Sequence, residues 1–308
     1  MEKHFDLIGI GECLIELYEI SAHTYKQSVA GDVFNTLFYA SRLGMKTGFI
    51  SNFGSDNFTD HIWETMDREG IDRNCTSASK EKTNGLYLIS RGGANEPKYS
   101  FCRSDSAARQ TLLTIDEKKL EEYILSSKYF HFSAIALAIL HKREILTTIL
   151  QKFHGKVIIT FDTNVRNGLW ADIEILKNFI EHSSAWIEVL FVSKSDDENI
   201  FGKRKPEEAI DSYASLGYKT VILRQGAEDV LIKSHDALLR VPVFKDMPVV
   251  DTTAAGDAFN AGFIASQIRG QTLENSVRAG NGCAAFVIGK EGALADDFQI
   301  RNGIKIKH

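Results

Sequence analysis

The run Asp251-Thr252-Thr253-Ala254-Ala255-Gly256-Asp257, continuing into Ala258-Phe259-Asn260-Ala261-Gly262-Phe263, carries the densest chemistry in this sequence. Small residues let a backbone approach a ligand closely. The apolar, helix-forming segment that follows makes Ala254, Ala255 and Gly256 the opening turn of a helix. The N–H groups of such a turn have no partner inside the helix, and with the helix dipole they bind anions. Asp257 stands at the mouth of that positive end, where a carboxylate stays ionised and acts as a base toward a nearby hydroxyl. Aspartate is also a common helix cap, and glycine a common turn residue before one. Two threonines, two alanines and a helix of small residues are more than a cap requires.

Four further clusters have residue types suited to a ligand. In Ala30-Gly31-Asp32-Val33-Phe34-Asn35, Gly31 permits a tight turn, and Asp32 and Asn35 supply acceptors and a donor for hydroxyl groups. A plain cap by Asp32 reads equally well. Phe161-Asp162-Thr163-Asn164-Val165-Arg166 follows an apolar strand pattern, and strand ends carry the ligand crevice in an open α/β sheet. Asn164 and Arg166 are the candidates there, Arg166 as a fork for a carboxylate or phosphate. Ser193-Lys194-Ser195-Asp196-Asp197-Glu198 offers acidic groups for Mg²⁺, with Asp196 the candidate, or an acidic first helical turn. Arg224-Gln225-Gly226-Ala227 offers close backbone approach to a base or phosphate, or a hairpin turn.

The elements that must position these groups follow from the hydrophobic pattern. Short apolar runs at 7–11, 47–50, 129–132, 157–161, 189–192, 220–223 and 230–232 read as strands, and helical stretches such as 33–43 and 58–69 lie between most of them. The alternation predicts an α/β fold with a doubly wound, mostly parallel sheet. Residues 85–90 and 98–103 flank a turn at 91–97 and read as a hairpin. Tyr99, Phe101 and Arg103 share one face of it by the period of two, a mixture that suits covering a polar ligand better than filling a core. With the extended segment near 12–30, this hairpin predicts a small sheet projecting from the main one.

Composition excludes several classes. The 308 residues are 44% hydrophobic and 25% charged, with a formal net charge of −5, which argues against nucleic acid or an anionic membrane as the main partner. Cys13, Cys75, Cys102 and Cys283 lie far apart without a C-x-x-C pair, so they read as buried or half-buried free thiols rather than a zinc or disulfide framework. No signal core and no run of 18 apolar residues occurs, and a cytoplasmic location is expected. There is no P-loop, no H-E-x-x-H and no G-x-S-x-G, and Leu14 stands where a dinucleotide fingerprint needs its third glycine.

The chain resembles the ribokinase-like sugar kinases throughout its length. The 251–257 run is similar to that family's C-terminal signature, and the 30–35 cluster with Gly44 is similar to its N-terminal one. Within the family the likeness is greatest to the 2-keto-3-deoxygluconate kinase branch, through 10–17, Gly85-Leu86-Tyr87, 103–109, Leu137-Ala138-Ile139-Leu140, 162–166 and Leu169-Trp170. The resemblance implies a three-layer α/β core formed by the whole of 1–308, with a β lid from about 12–30 and 84–108. It implies ATP and Mg²⁺, and phosphorylation of a sugar-acid hydroxyl.

On this resemblance Asp257 is the catalytic base, and Ala254, Ala255 and Gly256 are the anion hole. Gly31, Asp32 and Asn35 contact the sugar, and Tyr87, Phe101, Arg103 and Arg166 hold the keto-acid. Ser193, Gly226, Ala227 and Asn281 lie at the nucleotide, and Arg224 beside Gly226 is placed with them. Mg²⁺ is expected to be water-bridged near Asp196, a monovalent cation such as K⁺ near Asp251 and Thr253, and a homo-oligomer paired through the lid. Ala30, Phe101 and Thr163 depart from the glycine, tyrosine and proline usual at their positions. Two arginines in a sugar site point to a carboxylate substrate, because guanidinium groups left buried and unpaired are costly.

Overall fold

Side chains alternate across a strand, and along β1 (Phe5–Ile10) that alternation divides the core. Ile8 and Ile10 pack with Phe130, Phe132, Phe161, Leu190 and Val192 on one face of the sheet. Leu7 packs with Phe49, Phe191, Ile222 and Ile232 on the other. The computed structural model describes residues 2–91, 97–235, 237–245 and 247–298.

After β1 the strands are β2 (Leu14–Ser21), β3 (Thr24–Ala30), β4 (Thr47–Phe53), β5 (Ile71–Asp72), β6 (Thr76–Ala78), β7 (Leu86–Arg91) and β8 (Pro97–Cys102). They continue with β9 (Ser127–Ser133), β10 (Ile158–Asp162), β11 (Val189–Ser193), β12 (Thr220–Gln225), β13 (Glu228–Ser234) and β14 (Ala237–Val241). The helices are α1 (Asp32–Arg42), α2 (Thr59–Glu69), α3 (Thr111–Thr114), α4 (Glu117–Leu125), α5 (Ala134–Ile139) and α6 (Arg143–Phe153). They end with α7 (Glu174–Ser183), α8 (Lys194–Phe201), α9 (Pro206–Ser215), α10 (Ala255–Ile268) and α11 (Leu273–Val287).

The large sheet runs β14-β13-β12-β11-β10-β9-β1-β4-β5, with β6 also paired to β4. It is parallel from β12 to β5, and β13 and β14 add antiparallel edges. Residues of α4, α6, α7 and α9 cover one face, and residues of α1, α2, α10 and α11 the other, giving three layers. β1 lies between β4 and β9, so the strand order reverses there, and the crevice of such a sheet opens at the carboxyl ends beside that reversal.

The second sheet is small, in the order β3-β2-β7-β8. The expected hairpin is β7–β8, with Tyr87 opposite Phe101 and Ile89 opposite Tyr99. The Gly92–Glu96 turn of that hairpin lies outside the described residues. β14, β5 and β6 were not expected from the pattern; β5 and β6 are too short to register as apolar runs, and β14 exposes all its residues but Val241. Cys13, Cys75 and Cys283 are buried free thiols, but Cys102 is exposed, because it sits at the end of an edge strand. Among the described residues no helix is long and apolar enough to cross a membrane.

Candidate functional site

The clusters meet in one cavity of about 1140 Å³ at the carboxyl ends of the large sheet. Gly31, Asp32 and Asn35 reach it from the start of α1, Asn164 and Arg166 from beyond β10, and Ser193 and Asp196 from the β11–α8 junction. Arg224 comes from the end of β12, Gly226 and Ala227 from the β12–β13 turn, Asn281 from α11, and Ala254 to Asp257 from the start of α10. The small sheet contributes Tyr87, Tyr99 and Phe101, with Arg103 just past it. The candidate residues for sugar, nucleotide and Mg²⁺ all line this one space; Asp251, the monovalent-cation candidate, does not.

Gly31 caps α1 from an extended backbone, and a Cβ on it would come 2.0 Å from the carbonyl oxygen of Glu12. Only glycine lets the β3–α1 turn pass so close to the end of β1. Asp32 is therefore the first helical residue rather than the cap, and its Oδ1 accepts the N–H of Val33 at 2.8 Å. Its Oδ2 accepts from Asn164 Nδ2 at 3.0 Å, which ties the α1 cluster to the loop after β10. Asn35 uses both ends of its amide. Its Oδ1 accepts from Gly31 N–H at 3.2 Å, and its Nδ2 donates to Asp257 Oδ2 at 2.8 Å. Asn35 therefore orients the carboxylate.

Ala254 caps α10 with φ +60°, the left-handed region that costs an alanine about 1–2 kcal/mol. The Ala255 N–H turns back to the Thr252 carbonyl at 3.3 Å. The N–H groups of Ala254, Gly256 and Asp257 have no partner among the described residues, so within α10 itself Gly256 and Asp257 are the open donors of the first turn. Asp257 is 8% exposed. The helix terminus is not the only influence on its charge. Burial pushes its carboxyl well above the usual carboxylate range; Asp32 adds to this, the Asn35 hydrogen bond opposes it, Asp162 raises it further, and Arg166 opposes it. Burial and the two neighbouring carboxylates therefore oppose the effect of the helix terminus.

The two arginines differ. Arg103 is buried, but its Nη1 donates to Glu12, so it is not an unpaired charge waiting for a ligand. Glu12 is buried too, and its carboxyl is raised to about 7 by burial, against the pull of Arg103. Arg103 also stacks on Phe101, 4.5 Å from the ring centroid, and Phe101 stacks on Tyr87 at 5.5 Å. Arg166 is exposed, and one of its Nη1 hydrogens goes to its own Val165 carbonyl at 3.0 Å. Tyr87 donates to Glu16, and Tyr99 Oη lies 3.3 Å from Thr253 Oγ1, so the small sheet touches the 251–257 run.

Asp196 is 5% exposed, and burial raises its carboxyl above its ordinary value. Its Oδ1 accepts from Val165 N–H and its Oδ2 from the Thr163 hydroxyl, each at 3.0 Å. Each oxygen thus keeps one lone pair free of these bonds. Ser193 caps α8 by accepting the Asp196 N–H at 3.0 Å, so the acidic run is chiefly the first turn of a helix. No group of three or more His, Cys, Asp or Glu that would hold a metal occurs among the described residues. Asn281 Nδ2 donates to the Pro242 carbonyl at 2.9 Å. Gly226 has φ +66° and turns β12 into β13.

Two residues outside the candidate set lie at the centre of the polar contacts. Asp162 accepts from Arg224 Nη2 at 2.8 Å and from Asn260 Nδ2 at 2.6 Å. Asn260, fully buried, accepts from Arg224 Nη1 at 3.1 Å. The available signals were an aspartate closing an apolar strand and an asparagine one turn after Asp257.

The profile of the pfkB family carbohydrate kinases matches residues 5–299. A 2-dehydro-3-deoxygluconokinase (another name for a 2-keto-3-deoxygluconate kinase) of Escherichia coli is 31% identical over 298 residues, covering 92% of this chain and 95% of that one. An ATP-dependent 6-phosphofructokinase of Thermoanaerobacterium thermosaccharolyticum is 26% identical, covering 96% of this chain and 91% of that one. Among solved structures, a putative ribokinase II of E. coli in complex with ATP and Mg²⁺ superposes with a TM-score of 0.82 at 21% identity, covering 94% of each chain.

Proposed function

The chain belongs to the pfkB family of carbohydrate kinases, and we propose that it transfers the γ-phosphoryl group of ATP to the terminal hydroxyl of 2-keto-3-deoxygluconate. The observation that carries this reading is Asp257, a buried carboxylate oriented by Asn35 beside the two open N–H groups of α10. The kinase named for this sugar acid in E. coli, similar over most of both chains, supports the choice of acceptor.

Asp257 takes the proton as the sugar oxygen bonds to the γ-phosphorus and the bond to the β-phosphate oxygen breaks, releasing ADP. The N–H groups of Gly256 and Asp257 stabilise charge on the transferring phosphoryl group. Magnesium carried by the nucleotide would supply neutralisation of phosphate charge, with Asp196 the nearest candidate to hold it through water. Arg166 is the cation with donors to spare for the substrate carboxylate, and Arg103, tied to Glu12, shapes the wall beside it. The small sheet acts as a lid, bringing Tyr87, Tyr99 and Phe101 over the sugar.

The test is a coupled ADP-release assay with 2-keto-3-deoxygluconate, gluconate, fructose and fructose 6-phosphate. Turnover of the keto-acid well above the others is expected. Equal turnover of fructose would overturn the choice of acceptor, and a preference for fructose 6-phosphate would make Arg166 a phosphate reader. ADP release with none of them would leave a binding protein on a kinase scaffold.

A second prediction concerns pH. The charge of Asp32 pushes the Asp257 carboxyl up, so Asp32→Asn should move the acid limb of kcat/KM to lower pH, whatever it does to KM. A limb that stays in place or moves upward in that variant would mean that Asp257 is not the titrating base.

A further inference from the structure

The Asp162–Arg224–Asn260 ring takes no part in the transfer described above, yet three elements of the site meet in it. Arg224 lies at the end of β12, two residues before Gly226. Its Nη2 donates to Asp162 Oδ1 at the end of β10, at 2.8 Å. Its Nη1 donates to Asn260 Oδ1 at 3.1 Å and to the main-chain carbonyl of Gly256 at 2.9 Å, both on α10. Asn260 Nδ2 closes the ring on Asp162 Oδ2 at 2.6 Å. A Cβ on Gly256 would lie 2.8 Å from Arg224 Nη1. A side chain at this position would therefore displace the guanidinium from its bonds to the first turn of the helix.

We propose that Arg224 is a positioning residue. It holds the first turn of α10, with its two open N–H groups and the Asp257 carboxylate, in register with the ends of β10 and β12. This role replaces that of a nucleotide contact, and it rests on the kinase reading above. A planar guanidinium can serve acceptors on two elements at once in a fixed geometry, which an ammonium on a flexible stem cannot. Coupling between the Gly226 turn and the reacting centre then runs through this one side chain.

Full-length Arg224→Lys and Arg224→Gln enzymes test the proposal through kcat, KM, MgADP affinity by calorimetry, melting temperature and the pH profile. In both, kcat should fall roughly ten- to thirtyfold, as expected when reacting groups shift by a fraction of an ångström. MgADP affinity should stay within about threefold. The charges facing Asp257 are Asp32 from α1, Asp162 from β10, Arg166 from the loop after β10 and, through Asp162, Arg224 from β12. Arg224→Gln removes the counter-ion of Asp162 and should move the acid limb of kcat/KM upward; Arg224→Lys keeps the charge and should leave it in place.

MgADP affinity falling in step with kcat would overturn the proposal in favour of a nucleotide ligand. Lower melting temperature with unchanged kcat would overturn it in favour of a purely structural ring. If Arg224→Gln does not fold, Arg224→Lys decides by the same split. Failure of the kinase reading would appear separately, as absence of phosphoryl transfer by the unmutated protein.

Discussion

Asp257→Asn lowers kcat by roughly 10²–10⁴, the contribution expected of a lost general base, and MgADP still binds. The same substitution raises the melting temperature at neutral pH. Both outcomes follow from one carboxyl group. It is 8% exposed, and burial, Asp32 and Asp162 all disfavour its charge, against Asn35 and Arg166. Asparagine keeps the shape and an acceptor for the Asn35 amide, but cannot take up the proton and has no charge to desolvate.

The sign of the pH dependence follows from linkage. The folded protein holds the Asp257 proton more tightly than the unfolded chain does. The stability from that tighter binding is complete below the ordinary carboxylate range. It is lost as pH rises through the raised folded value. The variant has no such loss. Its stability advantage over the unmutated protein should therefore be small in acid, widen with rising pH, and level off once Asp257 is ionised. Melting curves across that range check it. A variant less stable than the parent at alkaline pH, or one keeping more than about a tenth of parental kcat, would remove Asp257 from the role of buried base.

Local features were legible in the sequence because their causes are local. Gly31 before a helix, Gly44 and Gly70 after one, and apolar runs of strand length report backbone constraints within a few residues, and the structure has α1, α2 and the parallel sheet where those signals lie. Tyr99 and Phe101, which the period of two along β8 put on one face, line the cavity, with Arg103 just past the strand. What sequence could not carry was pairing at a distance. Arg103 and Glu12 are 91 positions apart, Asp162 and Arg224 are 62, and Asp162 and Asn260 are 98. No periodicity marks such contacts, so Arg103 and Arg166 looked alike although one is a paired, buried charge and the other an exposed one. The surroundings of Asp257 were half legible for the same reason: the helix terminus is visible in sequence, whereas its burial and the approach of Asp32 and Asp162 are not.

That difference between the arginines gives the second large effect. Arg166→Met should raise KM for 2-keto-3-deoxygluconate by about 30- to 150-fold, corresponding to roughly 2–3 kcal/mol for a charge-assisted fork, and leave KM for ATP near its parental value. Arg103→Met should behave differently, because it strands the buried Glu12 carboxylate and costs folding stability before it costs recognition. An acceptor lacking the carboxylate separates recognition from general damage. Fructose, turned over poorly by the parent, should lose almost nothing further in Arg166→Met, so that the preference for the keto-acid collapses. The comparison must be made on the alkaline side, since Arg166 also holds the Asp257 carboxyl down and its loss moves the acid limb of kcat/KM upward. Equal losses for fructose and the keto-acid there would mean that Arg166 tunes the base and does not read the carboxylate.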